Sequence, residues 1–286
     1  MAKHRWESFR ILRIHVLHLL ASPKLYVGII LLVIGLITCY GGVRDILAAQ
    51  QKEIQYTELF TLTLNSRIPR YILTLILLLL VGGTPFPYGG SSVSLIRTSR
   101  SAWLVGQMLY LATIVFIILI ATELILCGIL FGHLTFQNEW SDLMRLAARL
   151  GGGKGLSLLG IDTQIIIPTE AIQVGNPMLL FVVSFLNGLF FLYLMAMICM
   201  CGNLYNKGLC SIVAVILILI LGLAVELGLL PEVWNMISPL SVATVSMRPF
   251  SQTNVLYTVI YFIFLIICLW YASQWQMKRC DIAVLP

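Results

Sequence analysis

Charged residues are scarce in this chain: Asp, Glu, Lys and Arg together make up 10% of its 286 residues. A soluble domain carries about 25%, because its surface must be met with polar groups. Twelve acids and eighteen bases cannot cover a water-soluble globule of this length. There is no internal repeat and no low-complexity segment, and the composition fits neither disorder nor collagen. Cysteine is present but in the wrong places for a disulfide framework. Cys39, Cys127, Cys199, Cys201, Cys210 and Cys268 lie in or beside apolar stretches and Cys280 in the tail, so neither cross-links nor a metal site are expected. Apolar residues fill the chain instead, at 59% hydrophobic and a mean hydropathy of +0.97. The composition predicts an all-α integral membrane protein.

About 20 apolar residues are needed to cross the hydrocarbon core as a helix. Six segments qualify, near 25–43, 68–84, 103–132, 178–201, 209–230 and 254–275. The formal charge of +6 is spread thinly between these runs, so it marks a side of the bilayer rather than a nucleic-acid partner. With the amino terminus in the cytoplasm, the inner side holds ten bases (Lys3, Arg5, Arg10, Arg13, Lys24, Arg97, Arg100, Lys207, Lys278 and Arg279) against Glu7 and Asp281. On the outer side eight bases meet eight acids. Both termini are therefore expected in the cytoplasm.

Residues 1–24 are not expected to be a cleaved signal, since Arg10, Arg13, His15 and His18 interrupt any apolar core. At 100° per residue, Trp6, Phe9, Leu12, Val16, Leu19 and Leu20 share one arc, with Glu7, Arg10, His15 and His18 mostly opposite. With Ile11, Arg13 and Ile14 as exceptions, this pattern predicts a helix, Trp6, Phe9, Arg10, Leu12 and Arg13 included, in the headgroup layer with its bases toward anionic lipid. Pro23 ends it. The remainder, 25–286, reads as the six-helix transmembrane domain. Its longest connection, about 133–177, predicts an outer subdomain. There, EWSDLMRLAARL has helical spacing, Asn138 is a candidate cap, and the GGGKG at 151–155 is a hinge. The 44–67 loop is expected to extend its flanking helices above the membrane.

The groups that carry chemistry are mostly missing. A phosphate-binding loop needs G-x-x-x-x-G-K-[ST], whereas Ala148 and Gly155 stand where GGGKG would need a glycine and a Ser or Thr. The four histidines lie near the chain start or at a span end, and no span holds paired carboxylates, so no catalytic set is expected. Two acids do sit inside spans: Glu123 in LIATELIL and Glu226 in LAVELGLL. Charge at that depth costs about 2.5–3.5 kcal/mol on insertion scales and faces protein interior or a wet cavity. Glu123 and Glu226 are thus candidates for a substrate route or an interhelical lock, Glu226 also for snorkelling at the interface. Ser184 and Asn187 are candidates for interhelical hydrogen bonds. Gly128 and Gly132 form a small-x-x-x-small pair suited to close helix packing.

The inner loop between spans two and three is the most informative segment. Pro85, Pro87, Gly89 and Gly90 break the second span. SSVSLIRTSR comes next, a short amphipathic piece exposing Ser91, Ser94, Arg97 and Arg100 beside Val93, Leu95 and Ile96, and Trp103 marks the interface. A short helix on the membrane surface there is a docking element for a cytosolic partner.

With the interfacial first helix and six spans, this loop, SLIRTSRSAWLVGQMLYLATIVF, resembles that of permease subunits of the ABC-2 type. Ser99 and Arg100 match the Ser-Arg of that pattern, and Val105, Gly106 and Gln107 stand at its Val-Gly-Lys, with Gln in place of Lys. No acid stands near Gly89 and Gly90, where the family often has one. The resemblance implies the architecture of that exporter family (type V exporters), with a coupling helix carrying Ser91, Ser94, Arg97, Ser99 and Arg100. It implies a homodimeric pathway driven by two copies of a separate ABC ATPase, which would bind the ATP and Mg that this chain does not. It implies no enzymatic activity in the chain itself. Cargoes of the family include amphipathic or antimicrobial peptides, drugs, lipids and polysaccharides; the apolar composition favours peptides. A stand-alone channel or secondary transporter is the rival of another class, disfavoured by the few ionisable groups in the spans.

Overall fold

Proline and serine set the first boundary. The computed structural model describes residues 2–85, 99–149, 172, 175–205, 208–245 and 251–279. Helix α1 (Ala2–Leu20) stops just before Ser22, whose Oγ accepts from Lys24 N at 3.3 Å, and Pro23 opens α2 (Pro23–Gln50). Serine there satisfies an orphan amide, and proline fits a first turn that needs no N–H. The 28 residues of α2 reach about 42 Å at 1.5 Å per residue, well beyond a hydrocarbon core of about 30 Å. The expected extension of this helix past Arg44 is therefore present.

The chain beyond α2 is not a loop. A two-residue strand, β1 (Ile54–Gln55), pairs in parallel with β2 (Leu134–Thr135), and the chain enters α3 (Tyr56–Asn65). Glu58 reaches back to the start of this helix, accepting from Gln55 N at 3.3 Å, the N3 half of a capping box. At Ser66 the chain bends by 78° into α4 (Arg67–Val81). Pro69 falls in the first turn of α4, where its missing N–H breaks no helical bond. Next come α5 (Arg100–Ile129), α6 (Asp142–Arg149), α7 (Pro177–Leu204) and α8 (Gly208–Glu226). Two short helices, α9 (Trp234–Ile237) and α10 (Pro239–Ala243), lead to α11 (Gln252–Arg279).

Helices α2, α5, α7, α8 and α11 are each long and apolar enough to cross a membrane, and the bent α3–α4 pair makes a sixth crossing if counted as one. The protein is thus a helical, multi-pass membrane protein by length and composition. Half of the most apolar window of α7 is buried, against 11% in α11, which puts α7 at the centre and α11 at the edge. Phe60 of α3 packs on Phe181 and Phe185 of α7, ring centroids 5.1 and 5.9 Å away. At the far side α8 comes so close to α10 that a Cβ on Gly222 would collide with the Leu240 side chain.

Several expectations need correction. Span two, expected as one run near 68–84, is the bent α3–α4 pair, and the polar-looking α3 is a fully packed helix, with Thr57 through Asn65 all buried. Asn138 does not cap α6; its Oδ1 accepts from Met178 N at the start of α7, at 3.4 Å, while Ser141 Oγ accepts from Met144 N in α6. Trp103, expected at the interface, is fully buried. The glycine hinge at 151–155 lies outside the described residues.

Candidate functional site

Two polar constellations interrupt the apolar bundle, one at each end. The near end is where α1, the start of α5 and the end of α11 meet. Ser8 Oγ donates to Ala102 O at 2.8 Å, Ile11 sits against Gly106, and Nε2 of His15 lies 2.8 Å from Nε2 of Gln107. Ser8, Ile11, His15 and Leu19, spaced three and four apart, are all buried, so they form the face of α1 that seats on α5. This corrects the amphipathic reading: His15 faces protein rather than water. Trp6 and Phe9 are exposed and available to lipid, with Arg10 and Arg13 also exposed and Leu12 half-buried. Burial, helped by the charge of His18, pushes the His15 imidazole down to about 4. A neutral ring accepts from the Gln107 amide, which leaves its proton on Nδ1.

Ser99 caps α5, its Oγ accepting from Ala102 N at 3.3 Å. Arg100, at the start of α5, reaches across to α11: its Nη1 donates to Met277 O at 2.9 Å and Lys278 O at 3.2 Å, on the last turn of α11. A guanidinium there satisfies orphan carbonyls and complements the helix dipole. The same end is tied again by Asn203 of α7, whose amide donates to Gly82 O at 2.9 Å and to Thr84 O after α4. Ser91, Ser94 and Arg97 lie outside the described residues.

The far-end constellation centres on Arg70, which is buried on α4. Its guanidinium pairs with the Glu226 carboxylate of α8 and bonds Thr244 Oγ1, Leu240 O at 3.2 Å and Ser66 O at 3.2 Å. Arg67 adds a second cation, with Nε 3.0 Å from Glu226 Oε2. The Glu226 side chain has no exposure at all, so it neither snorkels nor lines an open route. It locks α8 to α4, and Arg70 extends the lock to α10. Beside it, Asn65 donates to Ser184 Oγ at 3.1 Å and accepts from Val245 N at 2.7 Å, which makes Ser184 the interhelical contact expected of it. Asn187, on the same helix, is buried.

Glu123 is not part of either constellation. It is half-buried on α5, with Cys127 Sγ 3.9 Å from Oε1, and Oε2 has no hydrogen-bond partner. Among the described residues no cation pairs with it. A further carboxylate, Glu58, holds the outer pieces together: it accepts from Gln55 N at 3.3 Å, Ser141 N at 2.5 Å and Ser141 Oγ at 2.7 Å. On sequence alone, Arg70, Arg67 and Glu58 are no more than outer-side charges. The signal available for the arginines is their spacing of three, on one face at the same end of the bundle as Glu226.

Among the described residues no cluster of three or more His, Cys, Asp or Glu side chains could hold a metal ion. Both constellations hold helices in register. No family model, curated protein or solved structure matches this chain.

Proposed function

We propose that this chain is the membrane-spanning permease subunit of an ATP-driven exporter of the ABC-2 type, working as a homodimer with two copies of a separate ATPase. Its cargo is an amphipathic or antimicrobial peptide moved outward across a bacterial cytoplasmic membrane, with both termini of the chain inside. The observation that carries this reading is the construction of the near end. Helix α1, the first turns of α5 and the last turn of α11 are fastened to one another by Ser8, Ile11, His15 and Arg100. That assembly starts where the amphipathic sequence at 91–100 hands the chain to α5. A cytosolic partner pressing on the segment would therefore move several helices together rather than one.

Co-purification tests the proposal. The tagged chain is expected to bring down a soluble ATPase whose hydrolysis in proteoliposomes rises with an amphipathic peptide. A chain that moves its cargo with no nucleotide-consuming companion overturns it. The docking role is best probed at Ser91, Ser94 and Arg97, because Arg100 already serves α11. Arg97→Glu is expected to lower peptide-stimulated hydrolysis while leaving membrane insertion intact.

A further inference from the structure

A half-open cleft lies between α2, α4 and α5 at the near end, with room for about 60 Å³ of water-accessible space. Its lining is apolar throughout. Leu32, Ile76, Leu80 and Ile118 are buried in its floor, while Ile29 and Ile117 are exposed at its rim. Leu19 of α1 closes the near end, and Gly28 contributes no side chain on the α2 wall. A Cβ at Gly28 would only reach van der Waals contact, 3.5 Å from Ile76 Cγ2, so the missing side chain leaves room rather than permitting a backbone contact. Along α2 the lining runs from Leu25 to Leu32, about 10 Å at the helical rise. The shape is a slot, open on one side and elongated along the helices.

The slot ends beside one cation. Lys24 is exposed and immediately precedes Leu25 of the lining. From Ser8 to Arg44 the chain contains no acid, so Lys24 has no opposite charge among its sequence neighbours. An apolar slot of this length next to an exposed lysine fits one amphiphile with an anionic head and a hydrocarbon tail. We propose that the cleft is a binding site for an anionic glycerophospholipid, one acyl chain lying along Gly28, Ile76 and Ile118 and the phosphate held near Lys24. The site needs the protein to lie in a membrane but not to be driven by an ATPase, so it stands apart from the proposed export function.

The test uses the full chain, purified after reconstitution in equal phosphatidylglycerol and phosphatidylcholine, with tightly retained lipid counted by mass spectrometry. Wild type is expected to retain phosphatidylglycerol over phosphatidylcholine by about fivefold, the effect of one surface lysine on an anionic headgroup. Lys24→Gln keeps the retained lipid but loses the preference. Gly28→Phe fills the slot and lowers retention of both lipids. Ile117→Trp at the rim is expected to do the same without altering the buried floor, and it covers a folding failure of the first variant. Equal retention of the two lipids by wild type overturns the assignment. So does retention in Ile117→Trp indistinguishable from wild type.

Discussion

Arg70 sits where water cannot solvate it, and its charge is tolerated only because Glu226, Thr244 and two carbonyls surround it. Removing one partner of such a pair leaves the other buried and uncompensated, at a cost of about 3–5 kcal/mol. Glu226→Ala is therefore expected to lower the thermal unfolding midpoint in detergent sharply. Combining Arg70→Met with Glu226→Leu is expected to recover part of that loss, since no buried charge remains and Arg67, one-third exposed, can turn to water. A double variant no more stable than Glu226→Ala shows that charge compensation is not what the pair supplies. His15 gives a residue-scale prediction of another kind. Its folded value of about 4 lies below the ordinary 6.5, so the undocked helix binds a proton that the docked one refuses. The docked state is fully favoured above pH 6.5 and loses that advantage as pH falls toward 4. At pH 5 the loss is about 2 kcal/mol. Proteolysis of α1 is expected to accelerate between pH 7 and pH 5 in wild type, and His15→Leu is expected to flatten that dependence.

At the scale of elements, close approach decides which helices move as one. Helix α10 is pressed onto α8 at Gly222, where even a methyl group would lie 2.5 Å from Leu240 Cβ. Gly222→Ala must push α10 away, for about 1–3 kcal/mol of overpacking. Because Leu240 O also accepts from Arg70, the same displacement strains the ion-pair hub. Gly222→Ala and Thr244→Val are then expected to combine non-additively in thermal unfolding, whereas independent effects would add. The long spans are legible from apolar runs alone, since a helix crossing lipid announces itself by length. Helix α3 is not. Its threonines and asparagine give it the look of a loop, yet Thr61, Thr63 and Asn65 bond back to the carbonyls four residues earlier, at 2.9, 2.8 and 2.7 Å. Bonds within the helix hide polarity that a residue count records as hydrophilic. The seated face of α1 is hidden for a related reason: periodicity locates an arc of apolar side chains but does not say whether lipid or α5 covers it.

For the whole molecule, the two ends are built differently. The far end is held by a buried ion pair between distant segments, 156 residues apart in the Arg70–Glu226 case. No local pattern reveals that partnership, although both charges are visible at the same depth. The near end is held by helix seating: α1 lies on α5 with Ile11 against Gly106, and Arg100 grips α11. Under the proposed function these near-end pieces travel together when the ATPases close, so fastening them covalently should change little. A Cβ at position 106 lies 2.9 Å from Ile11 Cβ, and a small separation of the helices reaches the disulfide range of about 3.5–4.5 Å. Ile11→Cys with Gly106→Cys is expected to cross-link under oxidation and to retain peptide-stimulated ATP hydrolysis in both states. Reduction of the bond would restore activity if α1 instead had to slide on α5 during each cycle. An oxidised double variant that is inactive, and active again once reduced, would separate α1 from α5 as a moving part and remove the rigid near end from the mechanism.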